Sequence, residues 1–158
     1  MNRYLKLAGM ILGVLTMALA VTPAEAGSCS QAALAGKWTY TYTGTIFTAN
    51  GPLPLASVGQ FHQDGAGNLV GSQTRSVAGG SGVEGISGTI TVNTNDCSAT
   101  GTVDVLMNDK VQRTAILALA YDQDGNHMRA IFQSLTLPDG TDVPVVITID
   151  GNRVNTKN

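Results

Sequence analysis

Charged residues are scarce in this sequence and make up 13% of its 158 residues. The nine lysines and arginines are outnumbered by eleven aspartates and glutamates, whereas a protein that binds nucleic acid should carry a basic face. The composition therefore argues against a nucleic-acid partner. Glutamate and histidine are rarer still, because the chain contains only Glu25, Glu84, His62 and His127. Few groups are left for acid–base catalysis or for binding a metal ion.

The common catalytic and cofactor-binding motifs are also missing. The sequence has no G-x-S-x-G elbow, no H-E-x-x-H pair, no phosphate-binding loop and no dinucleotide fingerprint. His62 and His127 both adjoin Asp-Gly turns, where a metal site with Asp64 or Asp124 is the alternative to ordinary solvated turn residues. We predict no metal site, no catalytic residue and no cofactor. Whether the chain is an enzyme is left open, with binding preferred.

One long apolar run occurs, and it lies at the N-terminus. Leu7–Val21 follows two basic residues and precedes the small-x-small sequence AEA, which is the order of a cleavable signal peptide. The run is short for a membrane span, and no later segment is long or apolar enough for one. We predict a signal peptide over 1–26 and a single exported domain over 27–158, periplasmic or extracellular. The alternative is a lipoprotein signal acylated at Cys29.

Two cysteines, Cys29 and Cys97, remain in the predicted exported domain. An even number of cysteines in an exported protein indicates a disulfide, and two cysteines allow a single pairing. In the chain-entropy description, closing this loop is worth about 4 kcal/mol. We therefore predict a Cys29–Cys97 disulfide rather than a redox or metal site.

Glycine, threonine, serine, valine and isoleucine are abundant in the rest of the chain, with turn signals at regular intervals, a pattern typical of all-β proteins. We predict eight strands, at 37–47, 55–63, 68–77, 86–93, 99–107, 111–121, 127–135 and 143–150. Short turns between consecutive strands indicate an antiparallel up-and-down meander, and closure into a single barrel would remove its exposed edges. Eight strands leave an interior that side chains fill or that holds one small ligand.

Alternation along the strands predicts which side chains point into the barrel. Trp38, Tyr40 and Tyr42 form the inward set of the first strand. Arg75 and Arg113 each share a strand face with apolar residues, so both are expected inside. The sixth strand contains AILALAY and is apolar on both faces, so its outer face is expected to be covered by the N-terminal turn or by a second copy of the chain.

An inward arginine needs an internal acid or an anionic ligand, because a buried unpaired charge is costly. We expect Glu84 to lie in a Gly-rich loop and Asp104 to point outward, so neither would supply that acid. Two inward arginines without an internal acid indicate a ligand with a carboxylate or phosphate group. The alternative is that one or both arginines point outward and pair with surface aspartates.

The stretch LAGKWTY resembles the first strand of calycin barrels, which opens with Gly-x-Trp, here starting at Gly36. The avidin branch is similar over more of the N-terminal half, through a Cys-Ser pair and GNLVGSQT. The resemblance implies a calycin-like barrel whose floor is closed by Trp38, with Arg153 stacked on it as in lipocalin-like barrels. The chain has one tryptophan, and Gln73 and Arg75 stand where avidins carry other residues, so biotin binding is not implied.

A second segment, SVAGGSGVEGISGTITV, resembles a strand entry of allene oxide cyclase and dirigent proteins, which are also eight-stranded barrels. The repeated Asp-Gly hairpins are similar to those of uncharacterised exported bacterial barrel proteins. These resemblances agree on the barrel. They imply either ligand binding or an enzyme that shapes a reactive intermediate in its cavity.

We predict an exported barrel that binds a small, partly apolar molecule, with or without an anionic group. The expected ligand-binding residues are four aromatic and three polar ones: Tyr40, Tyr42, Tyr121, Phe132, Gln73, Arg75 and Arg113. Two alternatives remain open. One is a cavity enzyme of the cyclase or isomerase type. The other is a barrel filled by its own side chains that acts through its surface, which predicts no internal cavity and outward arginines.

Overall fold

The computed structural model describes residues 29–154. It contains eight strands: β1 Gly36–Thr48, β2 Gly51–Gln63, β3 Asn68–Val77, β4 Gly80–Asn93, β5 Ser98–Met107, β6 Lys110–Tyr121, β7 His127–Thr136 and β8 Val145–Arg153. All eight predicted strands are present in the predicted order. The predicted signal peptide over 1–26 lies outside the described residues. Within residues 29–154, no helix is long and apolar enough to cross a membrane.

The strands form one closed antiparallel barrel in which each strand pairs with its neighbour along the chain. Closure depends on β1, which pairs with β2 on one side and with β8 on the other. The β1–β8 pairing satisfies backbone groups that the two terminal strands of an open sheet would expose. The predicted all-β up-and-down barrel is confirmed.

Two of the hairpin turns have the backbone conformation that suits a tight connection. Ala78 and Gly79 join β3 to β4, Asn108 and Asp109 join β5 to β6, and all four have positive φ. Two consecutive residues with positive φ are the mark of a type I′ turn, whose twist matches that of the flanking strands. The tight turn at Ala78 lets β4 begin at Gly80, well before the predicted start.

The early start of β4 corrects the prediction that Glu84 lies in a loop. Glycine is uncommon in strands. Residues 80–85 nevertheless pair with β3 one by one, including Glu84 with Gln73. The pairing and packing of neighbouring strands outweigh the local preference of single residues. Glu84 therefore belongs to a strand, and its side chain lies inside the barrel with 2% of the residue exposed.

A turn of residues 29–35 closes one end of the barrel, called the floor below. Leu34 and Trp38 are fully buried there, and the Trp38 Nε1–H donates a hydrogen bond to the Leu34 carbonyl at 3.1 Å. The Cys29–Cys97 disulfide, with Cα atoms 5.2 Å apart, attaches this turn to the β4–β5 connection. The predicted disulfide is confirmed, and it uses the sulfur that lipoprotein acylation would require. Such a bond is typical of oxidising compartments outside the cytosol.

Arg153 supports the floor through hydrogen bonds to the turn. Its guanidinium donates hydrogen bonds to the carbonyls of Ala33 and Ala35. It also lies over Gly36, where an added Cβ would come 3.3 Å from the Arg153 Nε, and the φ of +141° at Gly36 favours glycine. These contacts hold Arg153 at the floor, because the carbonyls of this half-buried turn need donors. Stacking of Arg153 on Trp38 stays a prediction.

The described residues leave the outer face of β6 exposed. Ile116 and Ala120 are both exposed on that face. The N-terminal turn does not cover it, because Gln31 of that turn is hydrogen-bonded to the backbone of β4 at the floor. That alternative is wrong, and coverage by a second copy stays a prediction.

Candidate functional site

The barrel encloses a cavity of about 230 Å³ above the floor. Inward side chains from all eight strands line it, and most of them are aliphatic or aromatic. Leu137 and Val143, in the connection between β7 and β8, line its other end, and Leu137 is 37% exposed. The cavity therefore reaches solvent at the end opposite the floor, called the mouth below. A barrel filled by its own side chains would leave no such space.

Four charged or polar side chains meet on one side of this cavity. Gln73 and Glu84 are direct partners in the β3–β4 pairing, and Arg75 follows Gln73 on the same face of β3. Arg113 comes from β6, where it pairs with Val105 of β5. Because side chains alternate along each strand, all four project inward from three different strands. We call Gln73, Arg75, Glu84 and Arg113 the polar cluster.

Glu84 lies at the centre of the polar cluster. Arg113 donates to it from both terminal nitrogens, from Nη1 to Oε1 at 3.0 Å and from Nη2 to Oε2 at 2.5 Å. Arg75 donates from Nε to Oε1 at 2.9 Å, and Gln73 donates from Nε2 to Oε2 at 2.9 Å. A buried carboxylate is tolerated when it is paired and hydrogen-bonded in this way.

Opposing influences set the pKa of Glu84. Burial, the largest of them, disfavours the charged form and would raise the pKa. Hydrogen bonds from Arg113 and Gln73, together with the charges of Arg113 and Arg75, outweigh burial and hold the pKa below its ordinary value. The carboxylate is therefore ionised at neutral pH. Two arginines and one carboxylate leave the polar cluster with a single positive charge.

Arg75 has donors that no residue within 29–154 accepts from. Its Nε binds Glu84, but neither terminal nitrogen has a hydrogen-bond partner among the described residues. The side chain lines the cavity and is 24% exposed. The terminal nitrogens of a guanidinium form a planar fork that matches the two oxygens of a carboxylate. The polar cluster thus combines a surplus charge with free donors beside an apolar cavity.

Two tyrosines of β1 connect the polar cluster to the aromatic part of the wall. The Tyr40 hydroxyl donates to Gln73 Oε1 at 2.8 Å, and Gln73 Nε2 donates to the Tyr42 hydroxyl at 3.3 Å. Burial raises the pKa of both phenols, so both remain protonated at neutral pH. Gly59 leaves room for Tyr40, since a Cβ there would lie 2.6 Å from the Tyr40 hydroxyl oxygen.

The structure separates the seven predicted ligand-binding residues into two groups. Six of them line the cavity: Tyr40, Tyr42, Gln73, Arg75, Arg113 and Phe132. Phe132 packs edge-on against Tyr42 with ring centres 5.8 Å apart. Tyr121 ends β6 and lies at the floor instead, with its ring centre 5.6 Å from that of Trp38. That any of these residues binds a ligand stays a prediction.

Glu84 is the site residue that the sequence analysis missed. A signal for it was present, because Glu84 has the same parity along β4 as the inward residues Ile86 and Ile90. Extending that alternation back across the glycines would have placed Glu84 inside. Asp104 lies outside the polar cluster. It accepts a hydrogen bond from Thr114 Oγ1 at 2.6 Å.

The two histidines lie away from the polar cluster. His127 Nε2 is 2.9 Å from Asp150 Oδ2 at the exposed surface, and His62 is exposed on β2. The Asp122 carboxylate accepts a hydrogen bond from the Asn126 backbone N–H and so organises the β6–β7 turn. Within the described part of the chain, no group of three or more His, Cys, Asp or Glu side chains is placed to hold a metal ion.

Comparisons with known proteins do not assign a family. No family model matches the chain, and no curated protein matches it. Similar solved structures include a redesigned β-barrel, mFAP1, bound to DFHBI, at 20% identity and a TM-score of 0.49 over 80% of this chain and 100% of that chain. The S-type phycobiliprotein lyase CPES from Guillardia theta has 10% identity and a TM-score of 0.43 over 78% and 89%. Rv2717c from M. tuberculosis has 15% identity and a TM-score of 0.38 over 77% and 93%.

All three TM-scores lie below 0.5, so these likenesses carry no argument about a ligand or an activity. The closed eight-stranded barrel is observed directly in this chain. Membership of the calycin group stays a prediction from the motif at Gly36.

Proposed function

We propose that this chain is an exported binding protein that holds one small, partly apolar molecule with an anionic group inside its barrel. The observation that carries the proposal is the combination of a mostly apolar cavity with the positively charged polar cluster. A few polar groups that orient a ligand within an otherwise apolar pocket are the usual arrangement of a small-molecule site.

The apolar wall would supply most of the binding free energy. Buried side chains such as Phe61, Leu117 and Ile147 line the cavity, and removing apolar surface from water is worth about 25 cal/mol per Å². The cavity volume of about 230 Å³ is smaller than the roughly 300–1,000 Å³ of sites for drug-sized ligands. The ligand is therefore expected to be small.

The protonation states at the site favour binding over acid–base catalysis. An efficient general acid or base has a pKa near the working pH. Glu84 is ionised and paired with two arginines, and its pKa is lowered. Tyr40 and Tyr42 are protonated, and their pKa values are raised by burial. These groups are therefore suited to orient a ligand and not to exchange protons with it near neutral pH.

Native mass spectrometry on protein purified from its own host tests the proposal. We expect the native mass to exceed the denatured mass by one small molecule. Ala115→Leu adds volume inside the cavity and should abolish that difference, whereas Ala118→Leu, on the outer face of the same strand, should preserve it. A native mass equal to the denatured mass in all three proteins would contradict the proposal and favour a barrel that acts through its surface.

A further inference from the structure

The net charge of the polar cluster narrows the chemical class of the ligand, an argument that rests on the proposed function. Arg75 and Arg113 share one carboxylate, Glu84, so one positive charge is left over. A ligand with one negative charge would neutralise the site. A doubly charged phosphate would leave a net negative charge in the barrel, and uncompensated buried charge is costly. The site therefore favours a monoanion.

The two arginines are not equivalent toward such an anion. Glu84 already accepts hydrogen bonds from both terminal nitrogens of Arg113, so Arg113 acts as a positioning residue. Arg75 donates only its Nε, and its terminal nitrogens are free among the described residues. A guanidinium fork can donate two parallel hydrogen bonds to the two oxygens of a carboxylate. Arg75 is therefore the residue that would meet the anion.

The volume of the cavity limits the apolar part of the ligand. An engineered cavity of about 150 Å³ in another protein binds benzene, and this cavity has about 230 Å³. The additional volume accommodates a carboxylate and a short link to the ring. It does not accommodate a second ring as well.

The aromatic part of the wall favours a ring over an aliphatic chain. The rings of Tyr42 and Phe132 meet edge to face, and those of Tyr40 and Phe61 are tilted by 49° with centres 5.9 Å apart. Aromatic rings prefer edge-to-face and offset contacts with one another, so a ring of the ligand can add to this set. Arg75 lies near the mouth end of β3, which puts the carboxylate toward the mouth and the ring toward the floor.

We infer that the barrel binds a monocarboxylate with a single aromatic ring, held through its two oxygens by the terminal nitrogens of Arg75. The probe that represents this class is 3-phenylpropanoate. Its neutral counterpart of similar shape is 3-phenylpropan-1-ol, and 4-biphenylcarboxylate has the same charge with a second ring.

Isothermal titration calorimetry on ligand-free protein tests the inference. We expect 3-phenylpropanoate to bind at least about tenfold more tightly than the alcohol, because hydrogen bonds to charged groups are the stronger ones. Arg75→Gln should abolish the preference, so that the acid binds no more tightly than the alcohol. Arg129→Gln removes an exposed arginine of β7 and should leave the ratio of the affinities for acid and alcohol unchanged. The biphenyl acid should bind more weakly than 3-phenylpropanoate.

The outcomes distinguish this inference from the proposed function. Equal affinities for acid and alcohol in the unaltered protein would overturn the recognition of the carboxylate by Arg75 and leave binding in the cavity intact. This comparison needs no variant, so it does not depend on whether a variant folds. Tighter binding of the biphenyl acid would overturn the limit to one ring. If neither small probe binds but an endogenous molecule is seen by native mass spectrometry, the inference fails and the proposed function stands. If no molecule is seen either, both fail.

Discussion

At the scale of single residues, we expect Glu84 to matter most for the free energy of unfolding, because it is buried between two arginines. Removing one partner of a buried ion pair leaves an uncompensated charge and costs about 3–5 kcal/mol. We expect Glu84→Gln to lower the free energy of unfolding by this amount, as measured by urea titration. Asp150→Asn affects the exposed pair with His127 and should cost less than about 1 kcal/mol. Equal costs for the two variants would contradict the prediction.

Glu84 also makes the stability depend on pH in a direction that can be checked. Because its pKa is lower in the folded protein than the ordinary value, its stabilising contribution is present above the ordinary pKa and is lost as the pH falls through the folded value. We expect the difference in unfolding free energy between the wild type and Glu84→Gln to be constant above about pH 5 and to shrink below it. Taking the difference removes the effect of surface carboxylates with lowered pKa, such as Asp64. A difference that grows on acidification would have the wrong sign.

Two buried tyrosines differ in whether the hydroxyl has a partner. Tyr40→Phe leaves the Gln73 Oε1 without its donor, and an unsatisfied buried acceptor costs about 1–3 kcal/mol. Tyr121→Phe removes a buried hydroxyl that has no hydrogen-bond partner within the described residues, so it should be neutral or stabilising. Urea titration of both variants measures the contrast. The prediction is wrong if Tyr121→Phe proves the more destabilising of the two.

At the scale of the strands, replacing glycine by alanine should have opposite effects on stability where the added Cβ meets a side chain and where it meets open space. An added Cβ at Gly59 of β2 comes within 2.6 Å of the Tyr40 hydroxyl, whereas one at Gly82 of β4 meets open space. We expect Gly59→Ala to displace Tyr40 from Gln73 and to cost at least about 1–3 kcal/mol. Gly82→Ala should stabilise by about 0.4–1 kcal/mol, because it restricts the unfolded chain. Similar unfolding free energies for the two variants would contradict this account.

The strand boundaries show where local sequence preference fails. The predicted strands match the observed ones where apolar and polar residues alternate, as in β3 over Asn68–Val77. Two strands begin several residues earlier than predicted, β2 at Gly51 and β4 at Gly80. Both early segments are rich in proline or glycine, which disfavour strands as isolated residues. Pairing with β1 and β3 holds them in the sheet, and that pairing is a long-range property.

At the scale of the whole molecule, the disulfide joins segments that are distant in the sequence. Cys29 and Cys97 are separated by 68 residues, and the bond holds the floor turn against the β4–β5 connection. We expect the Cys29→Ala/Cys97→Ala double variant to lose about 4 kcal/mol of unfolding free energy, because the open chain has more conformations when unfolded. Reductant should destabilise the wild type to a similar extent and leave the double variant unchanged. Full stability in the double variant would show that the bond does not constrain the unfolded chain.

The amino-acid sequence by itself determined the all-β class, the order of the eight strands, the disulfide pair and the inward direction of Tyr40 and Tyr42, whereas it left the direction of Arg75 open. The strands and their inward residues follow from alternation and turn residues, which are properties of short segments. The disulfide follows from the cysteine count, because two cysteines allow a single pairing. Only the tertiary structure decided that Glu84 pairs with both arginines, that Tyr121 lies at the floor and that a cavity remains. Alternation tells whether a side chain points in or out. The position of a side chain along the barrel axis, and its partner across the interior, depend on the register of all the strand pairs together. This is because the register of one pair sets the position of the next strand.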